Sequence, residues 1–251
     1  MKICVCGKGG SGKSTVVTLF TLAAHEKGFS VLVIDSDESN SGLFRMLGFK
    51  NPPVPLMELL GGKAALKEKM QEQSVFLHSE ITLEDIPSPF VQSRNGIVLV
   101  SIGKILQSLE GCACPMGVLS REFLNKLRLN KNWIALVDME AGVEHFGRGV
   151  DEAIDKVILV VEPSLESVTL AEKIRDLAAG MNKAVTAVLN KISSEEMARK
   201  LESELRSRGI ELIGTLPNDP LVFEACLEGL ALGRGEAFLA AVKMMEGLLV
   251  S

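Results

Sequence analysis

Near its start the chain reads Gly7-Lys8-Gly9-Gly10-Ser11-Gly12-Lys13-Ser14-Thr15, which is the strongest indication of its fold class. It follows the apolar run Ile3-Cys4-Val5-Cys6, which predicts a strand, and it leads into residues 16–20, which predict a helix. The glycines allow consecutive backbone N–H groups to point into one concavity, which a β-carbon would obstruct. A strand, a glycine-rich turn and a helix N-terminus together predict a phosphate-binding loop.

Two side chains of this loop have predicted roles at a bound nucleotide. Lys13 should reach the β- and γ-phosphates, and the Ser14 hydroxyl should bind Mg²⁺. The remaining residues should hold the phosphates mainly through backbone N–H groups. The predicted nucleotide-binding residues of the loop are Gly9, Gly10, Ser11, Gly12, Lys13, Ser14 and Thr15.

A second lysine, Lys8, occupies a position that the simple phosphate-binding pattern leaves free. The order Lys-Gly-Gly-x-Gly-Lys-Ser resembles the deviant Walker A loop of the dimeric ATPases that include nitrogenase iron protein and the septum-site and chromosome-partitioning ATPases. The resemblance implies an ATP-dependent homodimer in which Lys8 of one protomer contacts the ATP phosphates of its partner. There it would stabilise charge during phosphoryl transfer, as an arginine finger does. The alternative is that Lys8 is a solvated charge beside the phosphates.

Size and composition restrict the classes of protein that the chain can represent. The 251 residues are enough for one α/β domain over residues 1–251, and no apolar run reaches the roughly 18 residues of a transmembrane helix. The N-terminus enters a strand directly, so no secretory signal is expected and the predicted location is cytoplasmic. The net charge of −5, with few aromatic residues, argues against nucleic acid as the main partner. Five cysteines, an odd number, make structural disulfides unexpected.

Short β-branched runs alternate with helical stretches along the chain. The strand runs are mostly continuous rather than alternating, which is typical of strands covered by helices on both faces. The sequence therefore predicts an α/β fold with a doubly wound, mostly parallel sheet that binds ligands at the carboxyl ends of its strands. The predicted strands are 2–6, 31–35, 97–101, 134–138, 157–161, 184–189 and 211–214. The predicted helices are 14–27, 56–73, 117–129, 166–180, 195–208, 220–228 and 235–250.

The region at about 49–95 fits this alternation least well. Prolines at 52, 53, 55, 87 and 89 interrupt regular structure there. We expect an insertion or a flap that faces a partner.

Carboxylates follow two of the predicted strands. The resemblance assigns Asp37 as the switch I aspartate that positions the attacking water, with Asn40 near the phosphates or the dimer interface, although Glu38 stands where the family often has proline. An Asx-type loop role is the alternative for Asp37. Residues 133–138 read as a Walker B strand whose Asp138 would hold Mg²⁺, through a water. Residues 139–145 resemble switch II, in which Gly142 would approach the γ-phosphate and His145 is expected to be a surface residue.

The adenine contacts are implied by the resemblance alone. Asn190, after another predicted strand, would bond the adenine edge with its amide, which offers both a donor and an acceptor. A second loop would pack on the base through Pro217 and Asp219. Without the resemblance these residues would be assigned only to loops at strand ends.

The stretch Gly111-Cys112-Ala113-Cys114-Pro115 has a different character. Two thiols at i and i+2 in a loop can turn toward one ion, and two such pairs across a two-fold axis supply four thiolates for a soft or borderline metal. The alternative is an exposed pair of thiols without a metal role. Cys4 and Cys6 have the same spacing but lie in a predicted strand, so we expect them in the core. Cys226 is also expected in the core.

Together with the loop and residues 138–149, the Cys-x-Cys stretch resembles the CooC-type maturation ATPases of nickel carbon monoxide dehydrogenase. The resemblance implies that ATP closes two protomers, that Cys112 and Cys114 hold a divalent metal between them, and that hydrolysis releases Ni²⁺ toward the apo-enzyme. Three alternatives remain. One is an electron-transfer ATPase with a bridging [4Fe–4S] cluster. Another is a partner-binding regulator, and a third is a positioning ATPase on DNA or membrane. The helix at 235–250, with Lys243 alone, has too little positive charge for stable membrane association.

Overall fold

Eight strands form one sheet in the computed structural model, which describes residues 1–37, 42–69, 75–76, 78–103, 114–140 and 153–250. The strands are β1 (Lys2–Gly7), β2 (Ser30–Asp35), β3 (Gln92–Arg94), β4 (Ile97–Ser101), β5 (Trp133–Asp138), β6 (Lys156–Val161), β7 (Val185–Ile192) and β8 (Glu211–Pro217). Their order is β3-β4-β2-β5-β1-β6-β7-β8. Every neighbouring pair is parallel except β3 with β4. The predicted doubly wound, mostly parallel sheet is confirmed.

Helices cover both faces of the sheet. They are α1 (Lys13–Glu26), α2 (Leu43–Met46), α3 (Leu56–Leu59), α4 (Gly62–Lys69), α5 (Cys114–Lys126), α6 (Leu165–Ala179), α7 (Glu195–Ser207), α8 (Pro220–Glu228) and α9 (Glu236–Val250), with 3₁₀ turns at Leu83–Asp85 and Ser88–Phe90. All seven predicted strands are present, whereas the short β3 and α2 were not predicted. The single helix predicted over 56–73 is wrong, because positive φ at Gly61 and at Gly62, the first residue of α4, interrupts the helix between α3 and α4. No described helix is long and apolar enough to span a membrane.

Alternate residues of β1 enter two different cores. Cys4 and Cys6 face a core that includes Phe123 of α5. Ile3 and Val5 face a second core that includes Phe20 of α1, and this two-sided burial explains the continuous apolar runs. The prediction for Cys4 and Cys6 is confirmed. The prediction for Cys226 is wrong: its side chain is exposed, because α8 buries little beyond Ala225.

The described part of the region at about 49–95 packs against the sheet. Leu56 and Leu66 belong to the same core as Val98 and Val100 of β4, and the backbone N–H of Met57 donates to the carbonyl of Ile102 at 3.0 Å. That this region faces a partner stays a prediction.

Gly7, at the end of β1, controls how closely the phosphate-binding loop approaches β6. It pairs with Val160 in the parallel ladder and has φ +149. A β-carbon there would stand 2.5 Å from the Val160 carbonyl oxygen, a backbone atom that cannot move aside independently. Only glycine fits this contact without separating the two strands.

Replacing Gly7 with alanine should therefore destabilise the protein strongly. We expect Gly7→Ala to lower the free energy of unfolding by about 2–4 kcal/mol. Gly28→Ala is the control, because Gly28 has φ +87 with open space around the added carbon, and it should lose only about 1 kcal/mol. Urea unfolding measures both. Equal losses would show that the contact with Val160 does not limit the strand spacing.

Candidate functional site

The phosphate-binding loop between β1 and α1 is held by hydrogen bonds to its own backbone carbonyls. Ser11 is buried and its N–H donates to the Lys8 carbonyl at 3.1 Å, while Val16 N–H donates to Gly12 at 2.9 Å, at the start of α1. The Lys13 ammonium is buried and lies 3.5 Å from the same Lys8 carbonyl. The loop thus joins a strand end to a helix N-terminus with a lysine at its centre, which is an arrangement that binds phosphate.

Ser14 and Asp138 meet beside the loop. The Ser14 hydroxyl donates to Asp138 Oδ2 at 2.5 Å, and Asp138 is fully buried at the end of β5. Its other oxygen, Oδ1, has no hydrogen-bond partner among the residues that the structure describes. A hydroxyl and a carboxylate with an unused buried oxygen are the hard oxygen donors that Mg²⁺ prefers, so these residues fit the predicted magnesium role.

The pKa of Asp138 is raised to about 7. Burial is the main cause, and the negative charges of Asp35 and Asp37 raise it further, while the Ser14 hydrogen bond and the Lys13 charge act in the opposite direction. A divalent cation bound here would require the carboxylate, so its binding would release a proton at neutral pH.

The raised pKa predicts how Asp138 affects stability. The folded protein keeps this proton up to about pH 7, whereas the unfolded chain loses it near 3.8. The folded state binds more protons between these values, so stability falls as pH rises through this window. We expect Asp138→Asn, which keeps a Ser14 acceptor, to raise the free energy of unfolding by about 1–3 kcal/mol at pH 8 in EDTA.

The same substitution should change stability little at pH 4, because Asp138 is then protonated in the folded protein. Thermal unfolding at the two pH values tests this expectation. A gain that did not depend on pH would contradict the burial of a charged carboxylate as its cause.

Asp37 lies just beyond β2 and is buried. It follows Asp35, which pairs with Asp138 across the ladder, so three carboxylates share this end of the sheet. Its role at the attacking water stays a prediction. Asn40, Gly142 and His145 lie outside the described residues.

Two consecutive side chains near the end of β7 form hydrogen bonds with the backbone of the phosphate-binding loop. Asn190 Nδ2 donates to the Ser11 carbonyl at 2.8 Å, and the Lys191 ammonium donates to the Gly10 carbonyl at 2.5 Å. Lys191 has φ +60, an uncommon conformation for a residue with a side chain. Gly12 has φ +91, and a β-carbon there would meet Asn190 Nδ2 at 2.3 Å. In this arrangement the amide of Asn190 stabilises the loop. The bond from Asn190 to adenine stays a prediction.

Lys8 points away from the loop toward an acidic residue that the sequence analysis missed. Its ammonium lies 3.3 Å from Glu162 Oε1, just beyond β6, and 3.9 Å from Glu166. Lys191 contacts Glu162 Oε2 at 3.1 Å. Burial is the largest single influence on the pKa of Glu162 and raises it. The hydrogen bonds and charges of Lys191 and Lys8 act in the opposite direction and together hold this pKa below its usual value. The only sequence signal was a carboxylate directly after a predicted parallel strand.

Pro217 ends β8, and Asp219 is the N-cap residue of α8. One carboxylate oxygen of Asp219 accepts from Leu221 N–H and the other from Ala237 N–H of α9, each at 2.9 Å. Asp219 therefore caps one helix and ties it to the next. The contact of Pro217 and Asp219 with the base stays a prediction.

The predicted metal ligands are Cys112 and Cys114, and the structure does not describe either side chain. Cys112 lies outside the described residues, and Cys114 begins α5 with its side chain undescribed. Within the described ranges, no group of three or more His, Cys, Asp or Glu residues could hold a metal ion.

The fold and this loop define a P-loop nucleotide-binding protein. Residues 3–232 match the family model described as the CobQ/CobB/MinD/ParA nucleotide binding domain, and the chain belongs to this family of P-loop ATPases.

Two curated relatives span nearly the whole chain. An uncharacterized ATP-binding protein of Methanocaldococcus jannaschii is 40% identical over 91% of this chain and 92% of its own length. The carbon monoxide dehydrogenase accessory protein CooC of Rhodospirillum rubrum is 31% identical over 92% of this chain and 89% of its own. The match confirms the predicted P-loop family, and the narrower CooC-type assignment stays a prediction.

Among solved structures, the septum site-determining protein MinD of Pyrococcus horikoshii, complexed with Mg-ADP, has a TM-score of 0.72. It is 19% identical, and the match covers 98% of this chain and 95% of that one. At this identity the likeness shows the fold alone.

Proposed function

We propose that the protein is an ATP-hydrolysing homodimer that carries Ni²⁺ or Zn²⁺ and assists nickel insertion into carbon monoxide dehydrogenase. The observation that carries the ATPase part is the joint placement of Lys13, Ser14 and Asp138 around the phosphate-binding loop. Relatives named as an ATP-binding protein and as a carbon monoxide dehydrogenase accessory protein support the nucleotide and the metal parts respectively.

Each residue of the site has one task in this function. The loop N–H groups and Lys13 bind the phosphates, and Ser14 with deprotonated Asp138 holds Mg²⁺. Mg²⁺ bound with the nucleotide neutralises phosphate charge. Asp37 accepts a hydrogen bond from the attacking water and orients it toward the γ-phosphate.

Lys8 supplies the remaining positive charge from the second protomer. Its side chain is 36% exposed and leaves the loop rather than entering it, which supports a reach across an interface. A cation added to the γ-phosphate in this way stabilises the charge of the transition state more than that of bound ATP.

Replacing Lys8 with alanine separates binding from hydrolysis. We expect Lys8→Ala to bind ATP about as well as wild type, because Lys13 and the loop remain, and to hydrolyse it about 1000-fold more slowly. Lys50→Ala, at an exposed lysine outside the loop, is the control. Calorimetric binding and steady-state phosphate release measure the two effects. Ordinary turnover in Lys8→Ala would remove the role in the partner's site.

The metal part of the proposal concerns Cys112 and Cys114. One protomer offers two thiols, and a dimer offers four, which completes a tetrahedral site for a divalent ion. Metal affinity would then depend on dimerisation and, through it, on ATP. Ni²⁺ is the cargo in this scheme, and Zn²⁺ satisfies the same ligands.

Metal content tests the cargo directly. We expect about half a Ni²⁺ or Zn²⁺ per chain in the ATP-bound protein, and almost none after Cys112→Ala/Cys114→Ala, because two thiols alone bind weakly. Cys226→Ala, at an exposed lone thiol, is the matched control and should keep the metal.

Three results would contradict the cargo role. An equal amount of bound metal per chain in the double variant and in wild type would show that the cysteine pair does not bind the metal. Absorption near about 400 nm in anaerobic protein would favour an iron–sulfur cluster instead. Absence of metal combined with ATP-dependent pelleting on anionic vesicles would favour a positioning ATPase.

A further inference from the structure

Glu162 contacts two lysines at once: Lys8, which belongs to the phosphate-binding loop, and Lys191, which contacts that loop. Its Oε1 lies 3.3 Å from the Lys8 ammonium and its Oε2 lies 3.1 Å from the Lys191 ammonium. Lys191 in turn bonds the Gly10 carbonyl at 2.5 Å. One carboxylate is therefore two hydrogen bonds away from the loop backbone and in direct contact with the lysine predicted to cross the interface.

The backbone of Glu162 is fixed in place. Its N–H donates to the Ser167 hydroxyl at 3.1 Å, and its carbonyl accepts from Ser164 N–H at 2.7 Å. Ser164 also caps α6 by accepting from Ser167 N–H at 3.2 Å. The Glu162 side chain is 17% exposed, whereas Lys8 is 36% and Lys191 48% exposed, so water is excluded from these contacts mainly on the carboxylate side.

The neighbouring carboxylate, Glu166, is more exposed than Glu162 and lies farther from the Lys8 ammonium. Glu166 is 74% exposed and lies 3.9 Å from the Lys8 ammonium. A pair at that distance in water contributes little. Among the residues that the structure describes, Glu162 is thus the main partner that holds Lys8 within its own chain.

We propose that Glu162 is a positioning residue that holds Lys8 within its own protomer and competes with the partner's nucleotide phosphates for it. Lys191 moderates this hold because it shares the same carboxylate. This inference rests on the proposed ATP-dependent dimer: for Lys8 to reach the partner's phosphates, its contact with Glu162 must break, and a two-fold dimer breaks two such contacts.

We expect substitutions of Glu162 and of Lys191 to change the dissociation constant of the dimer in opposite directions. Glu162→Gln weakens the hold on Lys8 in each protomer, so the dimer should form more readily. At about threefold per contact, the dissociation constant of the dimer should fall about tenfold. Lys191→Met leaves the whole carboxylate to Lys8, so the dissociation constant should rise.

The experiment measures dimer dissociation by sedimentation at saturating Mg²⁺ and a non-hydrolysable ATP analogue. It compares wild type, Glu162→Gln, Glu166→Gln, Lys191→Met and the Glu162→Gln/Lys191→Met double variant, each checked by its melting temperature. Glu166→Gln removes the same charge from the same neighbourhood and should change the dissociation constant less than about twofold. In the double variant the effect of Lys191→Met should shrink, because the shared carboxylate is gone.

The outcomes separate this proposal from the function on which it rests. Wild type that stays a single chain with the analogue would contradict the dimeric function and remove this proposal with it. A wild-type dimer whose dissociation constant is unchanged or raised by Glu162→Gln would overturn the Glu162 role alone. The same would follow if Glu166→Gln matched Glu162→Gln. If Glu162→Gln did not fold, a lower dissociation constant for Lys191→Met would overturn the proposal independently.

Discussion

The close packing of β1 against β6 is the constraint on which the site depends. Gly7 permits a contact that a β-carbon would prevent, and the phosphate-binding loop starts at that point. The loop is then held from the side by Asn190 and Lys191 at the end of β7. Because the carboxyl ends of parallel strands meet at one edge, three neighbouring strands fix a loop that has little apolar surface of its own.

Two carboxylates next to this loop lie in contrasting environments. Asp138 is buried beneath it, and its pKa is raised because burial and two nearby carboxylates disfavour its charged form. Glu162 lies beside it and has a lowered pKa, because two lysines favour its charged form. The buried carboxylate suits a divalent cation, whereas the outer one contacts two lysines that a phosphate would attract.

The sequence predicted the features that depend on neighbouring residues. The strands were found because both faces of the sheet are covered, and the loop was found because its glycine spacing serves one backbone shape. Features made by distant residues were missed. Glu162 and Lys8 are 154 positions apart, and the bond between Asp219 and Ala237 spans 18. Cys226 was misplaced because α8 carries apolar residues on its exposed side, so composition indicated burial that the packing does not provide.

In the proposed function, ATP bound at residues 7–15 holds two chains together. Light scattering in solution tests it most directly, with Mg²⁺ and either a non-hydrolysable ATP analogue or ADP. We expect twice the chain mass with the analogue and a single-chain mass with ADP, because only a γ-phosphate gives Lys8 of the second protomer its binding site. A mass that was the same with both nucleotides would contradict it.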